Sequence, residues 1–337
     1  MAKFVLVDCT SSVIWNKELL YADIVEGMLS DQDLFLCFNS EAPDLHRHGI
    51  YNFLETRAKQ YNYSLSRVTV QTGNMVERHH CINVIQGPVC CLFDVQDPGY
   101  NFTVEKANTL KHFGIFINKS TGPRLHLASY LHKYHANKSY ISYRFDIDDD
   151  FHTANIGLDE LVKDFGLKDL STHTQFLAQC PMLISGSTIQ IDTTAEMNPA
   201  QQLLKSDQEN FFKMYNNFFV EIAGETFYTG NAFKMSEKTM RAMLFKTPFI
   251  VHGAQNYLQN LKRLGFKTFD TWWDESYSLN TPDYGLHEVT KCIDYVSKFD
   301  QEKIQQTLTE MQPVLEHNYN TMKNITQDDF METFYAK

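Results

Sequence analysis

EIAGETFYTGNAFKMSEKTMRAMLFKTPFIVHGAQNYLQNLKRLGFKTFDTWWDESY, residues 221–277, is the stretch from which the fold is read. Its apolar start, lengthened by the preceding residues to FFVEIAG, predicts a strand that ends at a carboxylate, Glu225. A polar loop, TFYTGN, then leads to a helix opening at Ser236, whose hydroxyl can accept from N–H groups of the first turn. PFIVHG is a short buried strand, read as a central one, and AQNYLQNLKRLG is a helix stopped by Gly265. Strands and helices alternating at these lengths predict a parallel, doubly wound sheet, in which ligands sit beyond the carboxyl ends of the strands. A helix start at that edge offers unpaired N–H groups and a partial positive charge, and Lys238 in its first turn adds a full one, so phosphate suits it. Glu225 suits hydroxyl donors such as those of ribose. The plain alternative makes Ser236 only a cap, Glu237 a dipole-favoured surface acid and Lys238 a solvated amine.

The first hundred residues repeat the alternation. KFVLVD, DLFLCFN, SRVTVQT and GPVCCLFD are apolar runs of strand length, with helical spacing in LLYADIVEGML and HGIYNFLETRAKQYN between them. MVERHHCINVI fits helix and strand equally well. After a DPG turn, KHFGIFIN, a helix entered through KSTGPRLHLASYLHKYH, and SYISYRFD begin a second part. The tail from 286 to about 323 reads as helical, with a break at Pro313. The expected fold class is α/β, with two Rossmann-like lobes facing a cleft. Their expected bounds are 1–103 for an N-terminal lobe and 104–310 for a C-terminal lobe that carries the phosphate-suited helix start. A last helix, 311–337, would return toward the first lobe.

The 337 residues carry a net charge of −11, with 43% hydrophobic and 21% charged side chains, a globular balance. No stretch approaches the roughly 20 apolar residues of a membrane helix. The opening MAKFVLVDCTSS reaches an Asp too early for a signal peptide. Seven cysteines, odd in number and without CxxC spacing, predict reduced thiols and a cytoplasmic location. Within 106–144 lie seven basic residues and no acid: Lys106, Lys111, Lys119, Arg124, Lys133, Lys138 and Arg144. Such a run is either a solvated face or a contact for polyphosphate.

Glu225, the Ser236-Glu237-Lys238-Thr239 helix start and the PFIVHG strand together resemble the E…T-E-K…P-I/V-V-x-G motif of α1,3-fucosyltransferases. The pattern looks still more like glycosyltransferases of large algal viruses and tailed phages, which add an LxxLxxLGFxTF helix and a DESYD turn. This chain has SEK for TEK and DESYS for DESYD. TGN at 72–74 and NKSTGPRLH at 118–126 belong to the same resemblance, which covers most of 70–325. It implies a GT-B type fold, a nucleotide-diphosphate sugar as co-substrate and no metal cofactor. It also implies Arg124 and Lys238 on the donor diphosphate and Glu237 or Glu225 on the ribose, with Ser236, Thr239 and Asn74 completing the donor site. Arg124 has support from the residues themselves, because it follows a Ser-Thr-Gly-Pro turn at a strand end inside the acid-free run. A guanidinium there can clamp phosphate and stabilise a departing nucleoside diphosphate.

An inverting transferase also needs a base for the acceptor hydroxyl. Asp8 and Asp94, each closing an apolar strand, are the candidates, with Glu77 a third; each reads equally as a cap or turn residue, and a retaining enzyme needs none. Asp146-x-Asp148 resembles the metal-binding DxD of another glycosyltransferase fold, yet DIDDD is also an ordinary acidic loop. His79-His80 lacks metal-ligand spacing, and Trp272-Trp273 reads as a plug at a lobe interface. The expected activity is transfer of a sugar to a hydroxyl acceptor. A hydroxylated or hydroxymethylated base in double-stranded phage DNA is favoured over a glycan by the resemblance to phage proteins, although net acidity works against DNA. Non-catalytic nucleotide-sugar binding is the alternative of a different class.

Overall fold

The computed structural model describes residues 3–6, 17–38, 43–86, 111–144, 154–184, 214–326, 329 and 332–334. The chain divides into two compact units. The first is Met1–Cys90, Thr226–Lys234 and Thr326–Lys337; the second is Cys91–Glu225 and Met235–Ile325. The first boundary, at 90/91 here and at 103 in the sequence-based division, lies outside the described residues. A segment absent from the sequence-based division, Thr226–Lys234, belongs to the first unit, and most of the expected final helix belongs to the second.

The first unit holds a parallel sheet of β1 (Lys3–Leu6), β2 (Leu34–Cys37), β3 (Val68–Thr72) and β4 (Asn83–Gln86), in that order. Its helices are α1 (Lys17–Leu29) and α2 (Ile50–Tyr61). In α2 the buried residues Ile50, Tyr51, Leu54 and Ala58 recur every three or four positions, so one face packs on Leu34, Leu36, Val68 and Val70. Asn62, in the left-handed region at φ 53°, ends the helix by donating its N–H to Ala58 O. The ambiguous MVERHHCINVI resolves into a turn followed by β4. Among the described strands of this sheet the order never reverses, so no switch point of the kind that binds nucleotides falls between them.

The second unit holds β5 (Lys111–Ile117), α3 (Gly122–His135), β6 (Ser139–Tyr143), α4 (Ala154–Lys163), α5 (Ser171–Leu177) and β7 (Phe218–Gly224). It continues with α6 (Glu237–Leu244), β8 (Phe249–His252), α7 (Tyr257–Arg263), α8 (Pro282–Val296) and α9 (Gln301–Asn324). The sheet is parallel throughout, with order β6-β5-β7-β8. Every residue of β7 and β8 is buried, as expected for a sheet covered on both faces, which is why these strands read as unbroken apolar runs. Phe113, Phe218, Phe219 and Phe249 are each at most 1% exposed, and each contributes about 1.5–3 kcal/mol by leaving water.

The overall class is thus α/β with parallel sheets, compatible with Rossmann-like folding. Two local expectations are corrected. Among the described strands PFIVHG is not central: β8 ends that sheet and is buried because α8 and Phe269, after α7, cover it. Pro313 lies inside α9, and the real break is at 297–300, between α8 and α9. A proline inside a helix costs about 3 kcal/mol; buried Leu308, Met311 and Leu315 hold the helix on its neighbours on both sides of it. Helix α5 was not anticipated. No helix among the described residues is long and apolar enough to cross a membrane.

Candidate functional site

Strand order reverses between β5 and β7: the chain leaves β5 toward β6 on one side, while β7 and β8 lie on the other. The crevice beyond the carboxyl ends of that pair is where open α/β sheets bind ligands. The residues there come from two connections. After β5, Arg124 stands in the first turn of α3, 2% exposed, with Nε donating to Gly224 O at 2.8 Å and Nη1 donating to Lys119 O at 3.1 Å. Gly224 is the last residue of β7, and a Cβ there would meet Arg124 Cγ at 2.7 Å, so only glycine admits the guanidinium across the switch point.

After β7 comes the second connection. Ser236 has extended backbone (φ −93°, ψ 169°), and its Oγ accepts from Lys238 N at 3.3 Å, the N-cap the sequence predicts. Thr239 Oγ1 and Tyr257 Oη both donate to Glu225 Oε1 at 2.8 Å. Glu225 Oε2 takes no hydrogen bond among the described residues, although the side chain is 3% exposed. Lys238 is paired with Glu237 and lies within electrostatic reach of Arg124 and Glu225. The structure therefore gathers Arg124, Glu225, Ser236, Glu237, Lys238 and Thr239 at one place.

The site is not simply cationic. Burial and the neighbouring Arg124 charge lower the Lys238 pKa, partly countered by Glu237 and Glu225. Desolvation works against the Glu237 carboxylate, but Lys238, Arg124 and Arg241 more than offset it and hold its pKa below the usual range. Burial also lowers the Arg124 pKa against the pull of Glu237, Glu225 and Glu160, though a guanidinium remains charged. Two cations thus face three carboxylates. Glu160 is already committed: its Oε2 accepts Gly122 N at 2.6 Å, so it caps the first amide of α3 and closes that helix start to a ligand. Glu237 is different, because its side chain is 46% exposed and its bond to Lys238 joins adjacent residues. The half-exposed Glu237 carboxylate can turn to water, so a diphosphate can take its place at Lys238. Lys238 and Arg124 would then face the anion while Glu237 and Glu225 Oε2 accept from hydroxyls.

Asn74 belongs to the first unit and has partners of its own there. Its Nδ2 donates to Asn231 O and to Glu77 Oε2, both at 2.9 Å, and its Oδ1 accepts from Phe233 N at 3.0 Å. The TGN at 72–74 thus clamps the second TGN, at 229–231. Asp44 completes the clamp by accepting from Asn231 N at 2.6 Å. Gly230 sits in the left-handed region at φ +67°, with its Cβ position 2.0 Å from Asp44 Oδ2. Gly230→Ala should therefore destabilise the first unit by more than Gly265→Ala, whose φ is +86° but whose Cβ meets open space. The second change should cost about 1–2 kcal/mol; urea unfolding of the two variants measures the difference.

Glu77 is 2% exposed, and burial pushes its pKa up to about 7 despite the Leu45 amide and Asn74. A carboxyl that titrates at about 7 when folded and near 4.5 when unfolded binds more protons in the folded state between those values. Its contribution to stability is full below the unfolded value and is lost as pH rises through 7. Loss of stability between pH 4.5 and 7, on the order of 3 kcal/mol, is expected from this group. Glu77→Gln should flatten that slope in denaturant titrations repeated across the range.

Asp8, Asp94, Asp146 and Asp148 lie outside the described residues. His79 and His80 do meet Glu55, with one ligand atom from each within 4.8 Å of the others. His79 Nδ1, however, accepts from Cys81 N and Ile82 N at 3.2 and 3.1 Å, which puts its proton on Nε2, facing Glu55. A metal at Nε2 would have to strip that proton, so the ring serves as a turn anchor. Trp273 packs on Phe219 and Phe269 within the second unit. In the basic run, Lys111 Nζ donates to the main-chain Ser139 O at 3.0 Å and Lys138 Nζ to the main-chain Ser297 O at 2.6 Å, while Lys133 Nζ donates to the Thr172 side-chain Oγ1 at 2.9 Å.

Sequence reasoning missed Tyr257, Glu160 and Gly224, whose partners are distant in the chain. It also missed the buried Glu221–Arg241 pair, at 2.6 Å, that ties α6 to β7. The lone acid inside the apolar run FFVEIAG is the signal from which that pair could have been found. No family model, curated protein or solved structure matches the chain.

Proposed function

We propose that the chain is a glycosyltransferase that takes a sugar from a nucleotide-diphosphate donor to a hydroxyl acceptor without a metal. Arg124 and Lys238 hold the diphosphate, Glu225 and Glu237 accept from ribose hydroxyls, and Ser236 and Thr239 position the helix start and Glu225. The observation that carries this is the convergence, at the β5/β7 switch point, of two buried cations from separate connections beside a carboxylate with an open oxygen. The resemblance to α1,3-fucosyltransferases and their viral and phage counterparts supports the same residues. It also carries the GT-B arrangement, with the acceptor served by the N-terminal part and Asp8 or Asp94 as base.

For the acceptor, the engagement of Lys111, Lys133 and Lys138 by internal oxygens favours a glycan over a base in duplex DNA. A DNA track needs lysines and arginines free to neutralise phosphates, and its binding weakens steeply with salt. The test is a panel of UDP- and GDP-sugars, scored for slow donor hydrolysis and for thermal stabilisation. At least one donor should do both. A panel in which no nucleoside diphosphate stabilises the protein overturns the assignment, whereas binding without turnover selects the non-catalytic alternative. Salt-sensitive binding of duplex DNA would restore the nucleic-acid acceptor.

A further inference from the structure

We propose a second ligand site, for a neutral saccharide, in the cavity between residues 270–277 and the second half of α8. The cavity measures about 420 Å³, within the range of small-molecule sites. Aromatic rings from Trp272, Trp273, Tyr277 and Tyr295 line it together with Asp270, Asp274 and Glu288. That combination suits a sugar, whose C–H face packs against indole or phenol while its hydroxyls donate to carboxylates.

Charge narrows the choice. Asp270 is paired with Lys262 and Glu288 with Lys291, both at 2.7 Å, and Asp274 Oδ1 accepts from Ser276 N at 2.8 Å. With two carboxylates neutralised and one left, the cavity repels a phosphate and offers little field to a polyamine. Its remaining resources are acceptor lone pairs and ring faces. The ring faces are held in place: Trp272 Nε1 donates to Glu310 Oε2 at 3.1 Å, and Trp273 packs edge-on against Phe219. Trp273 itself is 3% exposed, and its Nε1 has no acceptor among the described residues. An indole N–H left without an acceptor is costly, and a ligand oxygen admitted by a small shift of the ring would satisfy it.

This cavity is remote from the anion site within the same unit. Phe219 is the second residue of β7, and Phe249, which packs on Phe269, opens β8. The tryptophans therefore stand at the amino ends of the strands, and Arg124 and Lys238 at the carboxyl ends. The saccharide site does not depend on the donor assignment.

Of the chain's three tryptophans, at 15, 272 and 273, two line this cavity, so a ligand seated there should shift the emission. Titrating the full chain, without nucleotide, with neutral mono- to tetrasaccharides of glucose, galactose, mannose, fucose and N-acetylglucosamine should shift that emission for at least one sugar. Calorimetry should confirm binding, weakened by about tenfold or more in Trp272→Ala and weakened also in Tyr295→Ala, both at partly exposed rings. Lys238→Ala should leave it unchanged, which separates this site from the donor site. The proposal is overturned if no sugar of the panel binds at millimolar concentration, if binding survives both ring truncations, or if spermidine binds there and sugars do not.

Discussion

Lys238→Ala should lower the affinity for a nucleoside diphosphate by about 10- to 100-fold, the 1.5–3 kcal/mol of a hydrogen bond to a charged group. The substitution removes one of two cations at the switch point and leaves the Ser236 cap, which uses only the Lys238 backbone N–H. Loss of fold is therefore not expected, and calorimetry of the variant reads the ligand contact. Glu237→Gln sharpens the test. If Glu237 occupies Lys238 until the diphosphate arrives, removing its charge should raise the affinity for inorganic diphosphate, which has no ribose to lose. The same variant should gain less, or nothing, for a complete nucleoside diphosphate. Because burial and Arg124 lower the Lys238 pKa, its charge is present at low pH and lost earlier than for an ordinary lysine as pH rises. Binding should weaken correspondingly on the alkaline side, and in Lys238→Ala that limb should disappear. Unchanged affinity in Lys238→Ala would remove the diphosphate from this site.

What could be read in advance follows from how local each cause is. The helix start at Ser236 is set by its own first turn, and the strand ending at Gly224 by an apolar run, so both were legible. Glu225 was legible as a carboxylate at a strand end, but its partner Tyr257 lies 32 residues away and no local pattern links them. Asn74 shows the limit more plainly. Its TGN looked like part of a donor site, yet its hydrogen bonds reach a carbonyl 157 residues further on. Composition and spacing also cannot separate an edge strand covered by helices from a central one, since both are buried on two faces; β8 was misplaced for that reason. The acid-free run from 106 to 144 was real in the sequence. Two of its lysines, Lys111 and Lys138, however, satisfy carbonyls beyond helix ends, a use that charge counting does not distinguish from phosphate binding.

Glu221→Ala should destabilise the second unit by about 3–5 kcal/mol, the cost of leaving a buried partner charge uncompensated. Glu221 is 1% exposed in the middle of β7, where an isolated carboxylate would not be tolerated. Arg241 Nη2 donates to its Oε1 at 2.6 Å, and Tyr215 Oη donates to its Oε2 at 2.8 Å while accepting from Arg241 Nε. Removing Glu221 strands a guanidinium that is 7% exposed among Phe116, Tyr215 and Phe245. Arg241→Met alone should be nearly as costly, because it strands the carboxylate instead. Combining Glu221→Leu with Arg241→Met removes both charges together, and part of the loss should be recovered, since an apolar pair of similar volume can match a buried ion pair. About 1–3 kcal/mol should stay lost, because the buried Tyr215 Oη loses both of these partners. Urea unfolding of Glu221→Leu, Arg241→Met and the double variant, each against the parent chain, closes a thermodynamic cycle whose coupling should be several kcal/mol. Independent, additive losses would mean that the pair is not the tie between β7 and α6. The double variant also separates structure from binding. Glu225–Thr239 still links the strand end to the first turn of α6, so a stable double variant should keep its diphosphate affinity while Lys238→Ala loses it.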